Sequence, residues 1–126
     1  MTQVQRTSHT AHIRAAVPHL SAADVDTLAE IVARLVAAYD PLRVYLFGSK
    51  ARGDDGPDSD FDLMLIVPDD ATAARQDSQL AYQALRGTGT AVDVLVKQQD
   101  AFERRLHVVA SLPATVMREG RVLYAV

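Results

Sequence analysis

Cysteine and tryptophan are absent from this 126-residue chain, aromatic residues supply only 6%, and the longest strongly apolar run is the five residues from Leu63 to Val67. Without cysteine there is no disulfide framework, no zinc ribbon and no thiol nucleophile, a composition that fits a reducing cytoplasm. Five apolar residues fall far short of the roughly 20 needed to cross a bilayer. The first ten residues are polar and carry no apolar signal core. A soluble, cytosolic protein is therefore expected. An excess of basic residues is also lacking: 13 Lys and Arg against 16 Asp and Glu leave a formal net charge of −3. Tight, sequence-independent binding to nucleic acid or anionic lipid is not favoured by that balance. A chain of this length hides about two thirds of the surface its unfolded form exposes, enough for one core.

What the sequence does contain is an alternation of helical and strand patterns. Residues 1–20 show no clear periodicity and are read as a flexible or partner-dependent arm, leaving residues 21–126 as a single domain. Ser21 followed by Asp24 resembles a capping box, and Leu28, Ile31, Val32, Leu35 and Tyr39 repeat at helical spacing, so a helix is expected over 22–39. Asp40-Pro41 stops it. Strands are expected over 42–47, 61–67 and 91–97, the second buried on both faces because it is almost continuously apolar. Between the first two lies a turn-rich stretch, 48–59, read as a short helical turn and a loop. Helices are expected from Asp69-Asp70 to about 86, over about 100–109 and over 112–119, with Pro113 in the first turn of the last. Gly120 is expected in the left-handed position after that helix, and 121–124 as a short edge strand or extended tail.

Acidic residues crowd one segment: Asp54, Asp55, Asp58, Asp60, Asp62, Asp69 and Asp70. Glycine and proline surround the first three, which are read as a solvated loop. Asp60 and Asp62 differ, because they open an apolar strand two residues apart, where side chains share a face. Two like charges that close stay ionised cheaply only beside a cation. Asp93 stands in mid-strand between Val92 and Val94. By itself it reads as an exposed edge residue or the partner of an arginine; with Asp60 and Asp62 on a neighbouring strand it reads as the third member of a carboxylate cluster. Oxygen-only ligands suit Mg²⁺, which keeps some waters and takes further oxygens from substrate phosphates. Just upstream, Gly48-Ser49 follows a strand and opens a helical turn, so backbone N–H groups and a hydroxyl can face an anion, with Lys50 and Arg52 close by.

Gly48-Ser49, ten intervening residues and Asp60-Phe61-Asp62, together with Ala51-Arg52-Gly53, Ser59 and Leu63, resemble the signature of the DNA polymerase beta-like nucleotidyltransferase superfamily. The sequence is most similar to its minimal nucleotidyltransferase group, whose prokaryotic members act as antitoxins to HEPN-domain toxins. The likeness extends from the helix before the first strand to Arg118-Glu119-Gly120-Arg121-Val122-Leu123-Tyr124. It implies an α/β (α+β) palm, a small mixed sheet flanked by helices, and transfer of a nucleotidyl group from ATP to a hydroxyl with two Mg²⁺ ions. It also implies roles: Asp60 and Asp62 bind both metals, Asp93 binds the catalytic ion and helps deprotonate the acceptor, Gly48 and Ser49 hold the triphosphate, and Arg52 assists by charge or packing. Lys50 stands where the resemblance would often place an aromatic residue or arginine.

The leading expectation is accordingly an antitoxin that adenylylates (AMPylates) a tyrosine of a HEPN ribonuclease toxin. The alternatives are neutralisation of the toxin by binding alone, or transfer to a small molecule or an RNA end, for which Arg104 and Arg105 offer a local basic pair. No histidine base is required, and His9, His12, His19 and His107 form no ligand cluster by spacing; Tyr39, Tyr45, Tyr82 and Tyr124 are read as packing residues.

Overall fold

The apolar stripe of the long helix sets the first layer. In the computed structural model, which describes residues 3–56 and 59–126, helix α2 spans Ala22–Tyr39. Leu28, Ile31, Val32, Leu35 and Tyr39 are fully buried along it, each contributing about 1.5–3 kcal/mol by leaving water. The Ser21 side chain accepts a hydrogen bond from the Asp24 N–H, as an N-cap should. Asp40 ends the helix in the left-handed conformation (φ 47°, ψ 55°), and its N–H reaches the carbonyl of Val36.

Strands β1 (Arg43–Phe47), β2 (Phe61–Val67), β3 (Val92–Gln98) and β4 (Arg121–Ala125) form one mixed sheet in the order β3-β2-β1-β4. β1 is antiparallel to β2 and to β4, whereas β2 and β3 run parallel. The expected palm-like mixed sheet flanked by helices is what forms. Period-two alternation along β2 divides the core. Phe61, Leu63, Leu65 and Val67 join the cluster under α2, while Met64 and Ile66 pack with Phe102 and Val116 on the opposite face. Those last two residues belong to α5 (Gln99–Arg104) and α6 (Leu112–Glu119), numbered after α1 (Gln3–Ala16), α3 (Ser49–Arg52) and α4 (Gln79–Ala84).

Several elements depart from expectation. Residues 1–20, read as an arm, contain helix α1, and Ile13 and Val17 are fully buried against α2. Ile13, Ala16, Val17 and Leu20 carry the i, i+3, i+4, i+7 spacing of a buried stripe, and all four reach the core cluster. The helix expected to 86 is broken into a 3₁₀ turn, Ala74–Gln76, and the short α4. Asp77 causes the break: its side chain accepts from the Gln79 N–H at 2.9 Å and its carbonyl accepts from the Tyr39 hydroxyl at 2.5 Å. Such local bonding competes with the helical ladder. The helix expected over 100–109 ends at Arg104. Gly120 is not left-handed but extended (φ −75°, ψ 162°). Glycine is required there because a Cβ would collide with the carbonyl of Val116 and approach that of Leu46 to 3.2 Å. The last segment is the edge strand β4 rather than a free tail. Among the described residues no helix is long and apolar enough to cross a membrane.

Candidate active site

Register places the carboxylates. Asp62 is the second residue of β2 and pairs directly with Asp93 of β3, two positions on one face of neighbouring parallel strands. It lies on the Met64 and Ile66 side of the sheet, but where those two are fully buried under Phe102 and Val116, Asp62 is half-buried and Asp93 is exposed. Asp60 is exposed and stands one residue ahead of the strand. Its influence still reaches Asp62: burial, then the Asp93 and Asp60 charges, raise the Asp62 carboxyl above the ordinary aspartate value, against an opposing pull from Arg52. None of the three carboxylates accepts a hydrogen bond or an ion pair from a described residue. Among the described residues no group of three or more His, Cys, Asp or Glu is placed to hold a metal ion, so the expected cluster of Asp60, Asp62 and Asp93 is not brought together as a set of three. Asp62 and Asp93 are adjacent by register, and Asp60 stands ahead of the strand. Asp93 is exposed on the edge strand β3 and not buried in mid-sheet.

The antiparallel pair Phe47↔Asp62 brings the end of β1 to the start of β2. Gly48 follows at φ +76°, and a Cβ on it would run into Oδ2 of Asp62. This position needs glycine twice over, for the positive φ and for the close approach. Ser49 then opens α3, and its hydroxyl has no hydrogen-bond partner among the described residues. Gly53 (φ 84°) closes the turn, its N–H bonded to the carbonyl of Ser49 at 2.9 Å. Gly48 therefore stands against Asp62, and Ser49 follows it at the start of α3. Asp62 and Asp93, two carboxylates without a protein cation, are the part of the expected oxygen donor set for Mg²⁺ that the structure brings together.

Arg52 is exposed and bonds Asp54 at 3.0 Å and Glu119 at 3.4 Å. Asp54 is thus a surface residue, as expected. Asp55 is not simply solvated, because its Oδ2 lies 3.1 Å from the Lys50 ammonium, and that bond holds its carboxyl below the usual range. Asp58 lies outside the described residues. Lys50 itself is only 7% exposed and also pairs with Asp24 at 3.0 Å. That second pair redirects the carboxylate of the expected capping box. Burial alone would lower the Lys50 ammonium, but the two carboxylates win and raise it.

Three of the four histidines are used structurally. His19 Nε2 donates to the Lys50 carbonyl at 2.8 Å, His12 Nε2 to that of Val122 at 3.1 Å, and His9 packs edge-on against Tyr124. Tyr39 and Tyr45 are buried as expected, but Tyr82 is 68% exposed and is no core residue. Arg104 and Arg105, with Lys97, Ser111 and Leu112, wall a cavity of about 480 Å³ that the carboxylates do not line.

A family model described as a nucleotidyltransferase domain matches residues 25–122. The chain belongs to this family. Nucleotidyl transfer is the family's chemistry, and this nucleotidyltransferase carries its unpaired carboxylates and its glycine-serine turn at one end of the sheet. A protein of Methanocaldococcus jannaschii, provisionally designated a protein adenylyltransferase, is 30% identical over 82 residues, covering 65% of this chain and 77% of that protein. A crystal structure of a toxin-antitoxin with AMP-PNP superposes on 76% of this nucleotidyltransferase and 72% of that chain, at 20% identity and a TM-score of 0.51, and shares its fold. A mutant of the toxin-antitoxin MntA-HpeT covers 75% and 71% at 19% identity and a TM-score of 0.49.

Sequence reasoning left Lys50 without a role and missed its partners Asp24 and Asp55. Asp24 lies 26 positions away along the chain, and no periodicity encodes such a contact. The one available signal was a lysine set among alanine, glycine and serine in a turn otherwise rich in acids.

Proposed function

We propose that this nucleotidyltransferase is a cytoplasmic, Mg²⁺- and ATP-dependent protein adenylyltransferase that serves as antitoxin to a HEPN-domain toxin by AMPylating one of its tyrosines. The observation that carries the reading is the Asp62↔Asp93 register pair beside Gly48, with none of its carboxylates committed to a protein cation. The relative designated a protein adenylyltransferase and the fold shared with a toxin-antitoxin chain support the choice of a protein acceptor.

Asp60, Asp62 and Asp93 would hold two Mg²⁺ ions, whose chemistry is to neutralise charge on the attacking, leaving and non-bridging oxygens. Gly48 and Ser49 orient the triphosphate through the backbone N–H groups and the hydroxyl at the start of α3. The acceptor hydroxyl oxygen attacks the α-phosphorus of ATP, the bond from that phosphorus to the bridging oxygen breaks, and pyrophosphate departs. Asp93, the more solvated of the register pair, accepts the hydroxyl proton at its carboxylate and passes it to water. The protein's part is to position and to neutralise.

The test is to mix the protein with its HEPN partner and ATP labelled at the α-phosphate in Mg²⁺. Label on a toxin tyrosine, lost with Asp60→Asn plus Asp62→Asn, is the expected result. A tight complex with an unlabelled toxin, still neutralised by the double variant, would replace transfer by occlusion. Label on RNA ends or a small metabolite would move the acceptor to another class.

A further inference from the structure

Four acids between positions 54 and 62 are described, and they fall into two kinds. Asp54 and Asp55 are each paired with a cation of α3, Arg52 and Lys50, whereas Asp60 and Asp62 are paired with none. Lys50 is the buried member of that division. Its ammonium sits 3.0 Å from Asp24 Oδ2 at the start of α2, 3.1 Å from Asp55 Oδ2, and 5.1 Å from the ring centroid of Phe61. Phe61 is itself buried and lies between Asp60 and Asp62 in the chain. The Lys50 carbonyl is fixed in turn by His19. One side chain thus touches the helix that frames the site, the acidic loop, and the residue linking the two unpaired acids. An ammonium can do this because it is a compact charge with three donors, able to serve two carboxylates and face a ring.

We propose that Lys50 is a positioning residue that sorts the site's carboxylates, pinning Asp55 and its loop to α2 so that Asp60 and Asp62 stay presented to the cation and nucleotide. This deepens the functional reading above and rests on it for the nucleotide. Without the ammonium, Asp24 and Asp55 face each other unpaired, the loop is released, and Phe61 loses the charge over its ring.

The experiment compares Lys50→Met, Lys50→Arg, Asp55→Asn and the Lys50→Met/Asp55→Asn pair in the full chain. Amide hydrogen exchange over 53–56 and 59–62 reports the loop, Mg-ATP calorimetry reports the site, and KM and kcat for ATP are measured with the acceptor. Lys50→Met should speed exchange in both stretches and weaken Mg-ATP by about tenfold, with the loss in KM rather than kcat, a size usual for coupled neighbours. Lys50→Arg should restore part of it, and the double variant should be no worse than Lys50→Met. Unchanged exchange with affinity within about twofold of wild type, or strictly additive losses in the pair, would overturn the proposal. If Lys50→Met does not fold, Asp55→Asn decides, since faster loop exchange supports the clamp and wild-type exchange removes it. A wild-type protein that binds no Mg-ATP would sink the functional reading, while the exchange data would still decide the clamp.

Discussion

Replacing Asp62 by Asn should stabilise the protein while destroying its site. The Asp62 carboxyl is held above its ordinary value by burial and by the Asp93 and Asp60 charges, so its ionised form is tolerated worse in the folded chain than in the unfolded one. Strands in a sheet lie about 4.8 Å apart, which sets the paired Asp62 and Asp93 carboxylates roughly 5 Å from each other. Coulomb's law then gives about 0.8 kcal/mol of repulsion in bulk water and about 3 kcal/mol at an effective dielectric of 20. Because Asp93 is exposed, the watery end of that range applies, about 1 kcal/mol. No hydrogen bond from a described residue is lost with the charge. For a domain of this size the gain corresponds to about 3–5 °C in Tm at pH 7 in EDTA. A raised carboxyl favours folding when protonated, and that contribution is lost as pH rises through the folded value. The advantage of Asp62→Asn must therefore be full at neutral pH and must shrink as pH falls towards the unfolded value of about 3.9. Added Mg²⁺ should raise the Tm of the wild type and leave the variant unmoved. Thermal unfolding of both proteins across pH 4 to 7, with and without Mg²⁺, measures all of this. A variant less stable than wild type at pH 7 in EDTA, or a gain independent of pH, would refute the repulsion argument.

Gly48→Ala should cost about 1–3 kcal/mol in denaturant unfolding from its positive φ, and should weaken Mg-ATP because the new methyl occupies the space of Asp62 Oδ2. Gly120→Ala should also destabilise, by more than about 1 kcal/mol. An extended glycine ordinarily gains from alanine, but here the methyl strikes the Val116 carbonyl, so the sign of the measured change tests the packing. Ile13→Ala should cost about 2–4 kcal/mol, whereas an unattached arm would cost nothing. Burial and then His12 lower the His9 ring below its ordinary value, so α1 favours neutral His9. Its docking should be intact above about pH 6.5 and weaken as pH falls through the lowered value, read as faster amide exchange in α1.

The parts of the fold legible in the sequence were those whose pattern is local and repeated. The stripe of α2, the apolar run of β2 and the Pro113 start of α6 each follow from periodicity or capping within one element. Helix α1 was missed because its stripe, Ile13 to Leu20, is confined to the last turn and beyond, behind a mostly polar stretch that dilutes it. The break at Asp77 was missed for another reason: the Tyr39 hydroxyl that rewards it comes from a helix 38 positions away. Gly120 was assigned to the correct place with the wrong cause, since a helix-terminal glycine is usually demanded by its own φ and here by the Leu46 and Val116 carbonyls.

At the candidate site, the Asp62↔Asp93 pairing and the approach of Gly48 to Asp62 follow the sequence pattern, whereas a three-carboxylate donor set does not form among the described residues. A positive-φ approach to a carboxylate leaves only glycine, whereas Asp60, read as opening a strand with Asp62, stands one residue ahead of β2. What holds those aspartates apart from their acidic neighbours is different in kind. Arg52 answers to residues both near and distant, Asp54 and Glu119, and Lys50 answers to Asp24 and Asp55 from opposite sides. A cluster of like charges is informative only once the cations are assigned, and that assignment is a property of the folded chain. Of the described acids between 54 and 62, Asp60 and Asp62 hold no protein cation, nor does the register partner Asp93, and the charges of Asp93 and Asp60 are what the Asp62 carboxyl feels beyond its own burial.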